Sequence, residues 1–201
     1  MDPIAIVIVL VVALVAYGIR SGMRRMLACL LALACAAAIA QQDAPANGVL
    51  LVAQRSLGDA NFGRSVVLAT QAPNGQTVGV ILNRPTSDSH EGERLWFGGP
   101  VLNRMVVALF RAEAPPPASA FHVLKNVYLS MHPQNVDALL AGERKGFRLY
   151  SGFSAWSPGQ LQAELERDSW HVLPADAALV FRDDMGGLWE ELVARAEAPR
   201  S

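Results

Sequence analysis

The chain has 201 residues, 52% of them hydrophobic and 17% charged, which fits one domain of roughly 100–150 residues plus an apolar appendage. With Asp2 set against Arg20, Arg24 and Arg25, residues 41–201 carry 14 basic and 17 acidic side chains, so the basic stripe that neutralises a nucleic-acid backbone is excluded. Both cysteines, Cys29 and Cys35, lie in the first forty residues, which excludes disulfides and thiolate metal sites from everything that follows.

The leader comes first. Pro3 to Ile19 contains no charge and has about 17 residues, the lower limit for spanning a bilayer. Met23-Arg24-Arg25, the Leu/Ala run Met26–Ala40 and the small-x-small triplet Ala38-Ile39-Ala40 have the three parts of a secretory signal, with cleavage leaving Gln41 as the new N-terminus. Cys35 follows Ala32-Leu33-Ala34, a poor lipid-attachment context. Residues 1–22 are therefore either a transmembrane segment or a start-site artefact, 23–40 a signal-like segment, 41–47 a polar linker and 48–201 the domain. With Arg20, Arg24 and Arg25 held on the cytoplasmic side, both readings place the domain outside, periplasmic or tethered to the membrane through an uncleaved leader. The alternative is a cytoplasmic protein.

Within the domain, Val49–Ala53 and Ser65–Thr70 are compact apolar runs of strand length. Asn74-Gly75 predicts a type I′ hairpin leading into Val78–Leu82, which Pro85 ends. Thr86–Arg94 is polar and expected to be mobile. Leu95–Phe97 is a short strand, Gly98-Gly99-Pro100 a sharp turn, and Met105–Phe110 another strand. Phe121–Met131 forms one strand or a tight pair broken near Lys125-Asn126. Pro133–Ala141 is the first helix, with proline at its start and Gly142 past its end. Phe147–Tyr150 is a strand. Ser157 and Gln160 make a capping box for a helix carrying Leu161 and Leu165 on one face. Trp170–Leu173 is a strand, Ala177–Phe181 a helical turn and Leu188–Ala196 a helix, with Asp183-Asp184 as its cap. Strands come first and helices last, which is an α+β arrangement.

Five segments taken in order resemble the YqgE/AlgH family of bacterial proteins: Gly48–Thr70, Val78–Thr86, Phe97–Val101, Ser151–Asp176 and Leu188-Trp189. The resemblance implies a strongly bent, mostly antiparallel sheet forming a pseudo-barrel with a few flanking helices. It implies little chemistry, since the family is largely uncharacterised and its link to transcriptional control rests on naming. The hydrophobic leader is an addition to that pattern.

No catalytic constellation stands out. Gly152-Phe153-Ser154-Ala155-Trp156 approaches the nucleophile elbow but has Trp156 where the second glycine belongs, and reads better as a strand end. His90, His122, His132 and His171 form no i, i+4 pair, so no metal is expected, and no cofactor motif is present. Gly98-Gly99 precedes neither a lysine nor a helix pattern; its glycines permit a tight turn or line an anion site with backbone N–H groups. The candidate binding residues are aromatic and glycine turns with polar anchors: Asn83, Arg84, Phe97, Gly98, Gly99, Phe153 and Trp156. The expected function is a non-catalytic binding or accessory protein of the envelope, its partner an unknown protein or small ligand and not nucleic acid. The alternatives are a transcriptional regulator and a hydrolase-like enzyme using Ser154 or Ser56.

Overall fold

The computed structural model describes residues 46–142 and 146–198. The expectations for the leader, its cleavage site and most of the polar linker lie outside those residues. Among the described residues no helix is long and apolar enough to cross a membrane.

The sequence of elements is strand-rich and then helical, as the pattern predicts. Strands β1 (Val49–Ala53), β2 (Val66–Gln71) and β3 (Thr77–Ile81) lead into the hairpin β4 (Pro85–His90) and β5 (Glu93–Phe97). The long β6 (Val101–Arg111) precedes the pair β7 (Phe121–Leu124) and β8 (Val127–Ser130), then helix α1 (Pro133–Leu140). Next are β9 (Phe147–Trp156), α2 (Gln160–Glu166), β10 (Trp170–Pro174), the single turn α3 (Ala177–Val180) and α4 (Leu188–Glu197).

The sheet runs β10-β1-β2-β3-β9-β6-β8-β7, antiparallel except that β5 lies parallel to β9. It is open but strongly bent, and Gly48, just before β1, donates its N–H to the Val123 carbonyl on the end strand β7 at 2.8 Å. The main core joins Leu50, Val52, Val66, Leu68, Val80, Leu109 and Tyr150 in one cluster with Leu188, Trp189 and Leu192 of α4. β1 to β3 are buried on both faces, which is why they read as continuous apolar runs instead of alternating ones. A second cluster, formed by Ala108, Phe110, Tyr128, Leu149, Val136 and Leu139, seats α1 on the other face of β6, β8 and β9.

Strand β9 is the spine. Its C-terminal half pairs with β3 through Gly79↔Ser154 and Thr77↔Trp156, its N-terminal half pairs with β5 on that same edge, and β6 lies along its other edge. β9 turns between its two partners at Gly152, whose φ is +69°. Gly98 and Gly99 cross it there: Gly98 donates to Ser151 O at 3.0 Å, and the Gly98 carbonyl accepts from Ile81 N–H at 3.0 Å. A Cβ on Gly98 would collide with the Gly152 carbonyl, and one on Gly152 would stand 2.6 Å from Gly99 O. Glycine is required on both sides because two backbones approach more closely than any side chain allows.

Several local expectations are corrected. Thr86–Arg94, for which no strand was expected, forms the β4–β5 hairpin, closed by Glu91 and Gly92 at φ +50° and +88°. The polar composition reflects exposure, since β4 lies off the main path of the sheet. Asn74-Gly75 does not form a type I′ turn. The loop holds three residues, Pro73 to Gly75, with Gly75 donating to Ala72 O at 2.9 Å and alone taking positive φ. Pro73, fixed near −65°, suits the first corner of a type I turn followed by a left-handed glycine. Ser157 does not cap α2: Gln160 reaches back to Ser157 N–H at 3.1 Å, while the cap position falls on Gly159. Asp184 binds Gly186 N–H at 2.7 Å, and the last helix starts from Gly187 with Glu190 and Glu191 in its first turn.

Gly98→Ala is expected to lower unfolding free energy by about 3 kcal/mol or more, because neither backbone can retreat without breaking the β9 ladder. Gly58→Ala, at a glycine with nothing within 4 Å, should leave it unchanged or slightly raised. Urea denaturation followed by circular dichroism distinguishes the two.

Candidate functional site

Of the seven candidate residues, the fold gathers Phe97, Gly98, Gly99 and Phe153 at one place, where β5 runs into β9. Phe97 is in register with Ser151, and Phe153 with Val101 on the far side. Both rings are half-buried against the core. Arg84 reaches this place only through its backbone, its carbonyl accepting Phe97 N–H at 2.8 Å. The side chains of Asn83 and Arg84 turn instead to the loop before β2. Asn83 Oδ1 accepts Val66 N–H at 2.9 Å and its Nδ2 donates to Arg64 O at 3.0 Å, while Arg84 Nη2 donates to Gly63 O at 2.9 Å. Burial pushes the Arg84 pKa down, and the negative charge of Asp59 partly offsets that.

Trp156 stands apart from the others. It is 2% exposed, and its ring lies edge-on to Trp170 at 6.1 Å and against Phe62 at 5.8 Å. Both indole N–H groups donate to the same oxygen, Glu164 Oε2, each at 2.9 Å. Glu164 thereby fastens α2 over β9 and β10, as an acceptor-only carboxylate meeting two donor-only indoles. Trp189 is fixed in the same way, donating to Ala53 O at 2.7 Å beneath the guanidinium of Arg64, 4.5 Å from its ring.

The hydroxyl of Ser154 is closed off by its surroundings. The residue is 0% exposed and donates to Gly98 O at 3.1 Å, tying β9 to the crossing. Ser56 is exposed on the loop after β1. Among the described residues no serine hydroxyl hydrogen-bonds a histidine ring: His171 Nδ1 lies 3.3 Å from Gln54 Nε2, His132 Nδ1 accepts Gln134 N–H at the start of α1, and His122 stacks on Tyr128 at 4.9 Å.

Two features at or near the spine escaped the sequence reading. The first is a bulge. Between Val101 and Val106, β6 has four residues where β9 has only Gly152. Leu102 sits at φ +46°, Ser151 Oγ donates to Asn103 O, and Leu102 is 59% exposed beside exposed Asn103 and Arg104. Nothing in Val-Leu-Asn-Arg announces a left-handed leucine, because the conformation is imposed by the crossing and not by local propensity. The second is a group of arginines holding α3. Arg111 Nη2 donates to Ala177 O at 2.8 Å, and Arg148 donates to Val180 O at 3.1 Å and to Arg182 O. The period of two along Phe147-Arg148-Leu149-Tyr150 is the available signal: it places Arg148 and Tyr150 together on the core-facing side. Burial pushes the Tyr150 pKa up to about 12, with Arg148 pulling it back part-way.

The match to known proteins fits this geometry. Residues 50–200 match the AlgH-like family, DUF179. The chain belongs to this family. It is 31% identical over 169 residues to a UPF0301 protein of Mycobacteroides abscessus, covering 77% of this chain and 81% of the relative. It is 32% identical over 171 residues to a UPF0301 protein of Mycobacterium tuberculosis, covering 77% and 84%. The solved Corynebacterium diphtheriae protein DIP2367 superposes with a TM-score of 0.62 at 24% identity over 79% of this chain and 90% of that one. The AlgH protein of Pseudomonas aeruginosa does so at 0.62 and 22% over 76% and 89%. The AlgH-like fold is thus an α+β arrangement around a mostly antiparallel, strongly bent sheet that stays open.

Glu164→Ala should cost about 2–4 kcal/mol, leaving two buried indole donors without an acceptor, with Glu164→Gln costing less than half as much. Trp156→Ala should cost about 3–5 kcal/mol as a core truncation. Thermal melts of the three variants test this ranking. A second expectation concerns pH. The folded Tyr150 pKa lies above the ordinary value near 10, so the folded state holds this proton more tightly than the unfolded one. Its contribution is fully present below pH ~10 and is lost as pH rises through about 12, roughly 3 kcal/mol at most. Tyr150→Phe should remove that part of the alkaline unfolding curve.

Proposed function

We propose that this AlgH-like protein is a non-catalytic binding or accessory module of the cell envelope, taking a protein or a small ligand at the face formed by the glycine crossing and the Leu102–Met105 bulge. The observation that carries the reading is Leu102. A leucine in the left-handed region costs about 1–2 kcal/mol, and this one, 59% exposed, recovers little of that from the core. A strained residue that presents apolar surface to water fits a contact made outside the chain. Phe97 and Phe153 flank the same crossing and supply further apolar area, while Arg104 supplies charge. Asn83 and Arg84 anchor the loop before β2, and Trp156 belongs to the core apart from this face. The envelope placement is supported by the two apolar runs of the leader, Pro3–Ile19 and Met26–Ala40.

A photo-crosslinking residue replacing Leu102 in the native cell should give a discrete, reproducible product in the envelope fraction. The same residue at exposed Gln162 on α2 should give none. Leu102→Gly should keep or raise the melting temperature while removing the partner. A product absent at position 102, or found only in the cytoplasmic fraction, would sink the proposal.

A further inference from the structure

Strand β10 ends the sheet, and only β1 pairs with it. Gln54 N–H donates to Ser169 O at 3.0 Å, one step beyond the Ala53↔Trp170 pair. Bonded and non-bonded pairs alternate in an antiparallel ladder, so His171 and Leu173 exchange their backbone bonds with β1. Trp170, Val172 and Pro174 therefore turn their backbone polar groups to the outer edge. The other side of β1 agrees, since Ala53 N–H donates to Ser65 O, just before β2, at 2.9 Å. Among the described residues no hydrogen-bond partner meets the Val172 N–H, the Val172 carbonyl or the Pro174 carbonyl. The edge there is open to solvent: Val172 is 49% exposed and Pro174 is exposed beside it. Trp170 is buried, which limits the open stretch to Val172–Asp176. Neither a lysine nor a bulge protects it. The opposite end strand, β7, differs, because Gly48 already occupies its Val123 carbonyl.

Charge and proline decide what fits. Exposed Asp176 stands at one end of β10, and exposed Glu166 and Asp168 precede the other, with Arg167 the one cation between them. Among the described residues neither Asp168 nor Asp176 makes an ion pair. A second copy paired two-fold about Val172 would set Asp176 against the Asp168 of that copy and Pro174 against its buried Trp170. Like charges directly opposed destabilise such a pair. Paired about Pro174 instead, the two copies would oppose residues that have no N–H to give. The edge is thus unsuited to itself. Residues 41–201 carry 14 basic and 17 acidic side chains, and that excess of negative charge favours a cationic partner.

We propose that the outer edge of β10 docks an extended segment of another protein, added as a further strand, with an apolar residue beside Val172 and a lysine or arginine beside Asp176. The Val172 N–H and carbonyl supply main-chain bonds, while the Val172 side chain and the Asp176 carboxylate select the sequence. Pro174 keeps the added strand short. This edge is distinct from the Leu102 face, which lies on β6.

The test uses the full chain and a fluorescein-labelled peptide, KTVTVTK, with ETVTVTE as its charge-reversed control, read by fluorescence anisotropy. KTVTVTK should bind, more weakly as salt rises, and ETVTVTE should bind about tenfold more weakly or not at all. Val172→Pro deletes an outward N–H and no bond to β1, so it should fold and lose about tenfold or more in affinity. Val172→Ile, which keeps the edge, should bind like wild type. Asp176→Asn can still cap α3, and should weaken KTVTVTK without weakening ETVTVTE. Hydrogen exchange at the Val172 amide of the wild type needs no variant: KTVTVTK should slow it about tenfold or more. Absence of KTVTVTK binding, equal binding by Val172→Pro, or unchanged exchange at Val172 would overturn the proposal. So would a wild-type dimer that Val172→Pro abolishes in sedimentation equilibrium, which would assign the edge to a second copy.

Discussion

The backbone crossing of Gly98-Gly99 with Gly152 is the constraint on which the rest of this fold depends. One strand, β9, must serve β3 with its C-terminal half and β5 with its N-terminal half, while β6 runs along its other edge. That is possible only if β9 turns in the middle and the chain leaving β5 passes directly over the turn. Side chains would hold the two backbones apart, so the crossing is made of glycine. The bend of the sheet follows from it, as does the meeting of Gly48 with Val123. So does the excess of β6 residues opposite Gly152, which puts Leu102 into water in a conformation it would not choose.

The polar residues show a consistent division of labour. Asn83, Arg84, Ser154, Glu164 and Asn135 have the residue types of a reactive site, yet each is engaged in holding backbone or indole groups. Asn135 is the clearest case. Buried at the start of α1, it both accepts from Ala118 N–H and donates to Ala118 O, as a neighbouring strand would. A strongly bent sheet leaves such backbone groups unpaired where its loops turn inward, and side chains must satisfy them. This explains why sequence searches for catalytic residues return plausible types here: loop anchoring and catalysis draw on the same amides, hydroxyls and carboxylates.

Two features do not fit that scaffolding role. The bulge at Leu102 offers strained apolar surface outward. The Tyr150 hydroxyl and Arg182 Nε are buried donors without acceptors. This chain is 22–32% identical to the relatives compared, and a shared fold does not by itself fix what is presented on it.

The sequence by itself determined the order and type of nearly every element. Fully apolar runs marked β1 to β3, proline and glycine bracketed α1, and the family pattern carried the bent α+β sheet. These are local signals, set by burial and by backbone chemistry within a few residues. It also listed Phe97, Gly98, Gly99 and Phe153 as candidate binding residues, but together with Asn83, Arg84 and Trp156, on the ground that aromatic residues flank glycine turns. Only the tertiary structure decided what the glycines approach, namely each other, across more than fifty residues of chain. It also decided that Trp156 faces inward to Glu164, that Thr86–Arg94 is a hairpin, and that Leu102 is strained. Those outcomes depend on which strands share an edge of β9, a long-range choice that no window of sequence contains.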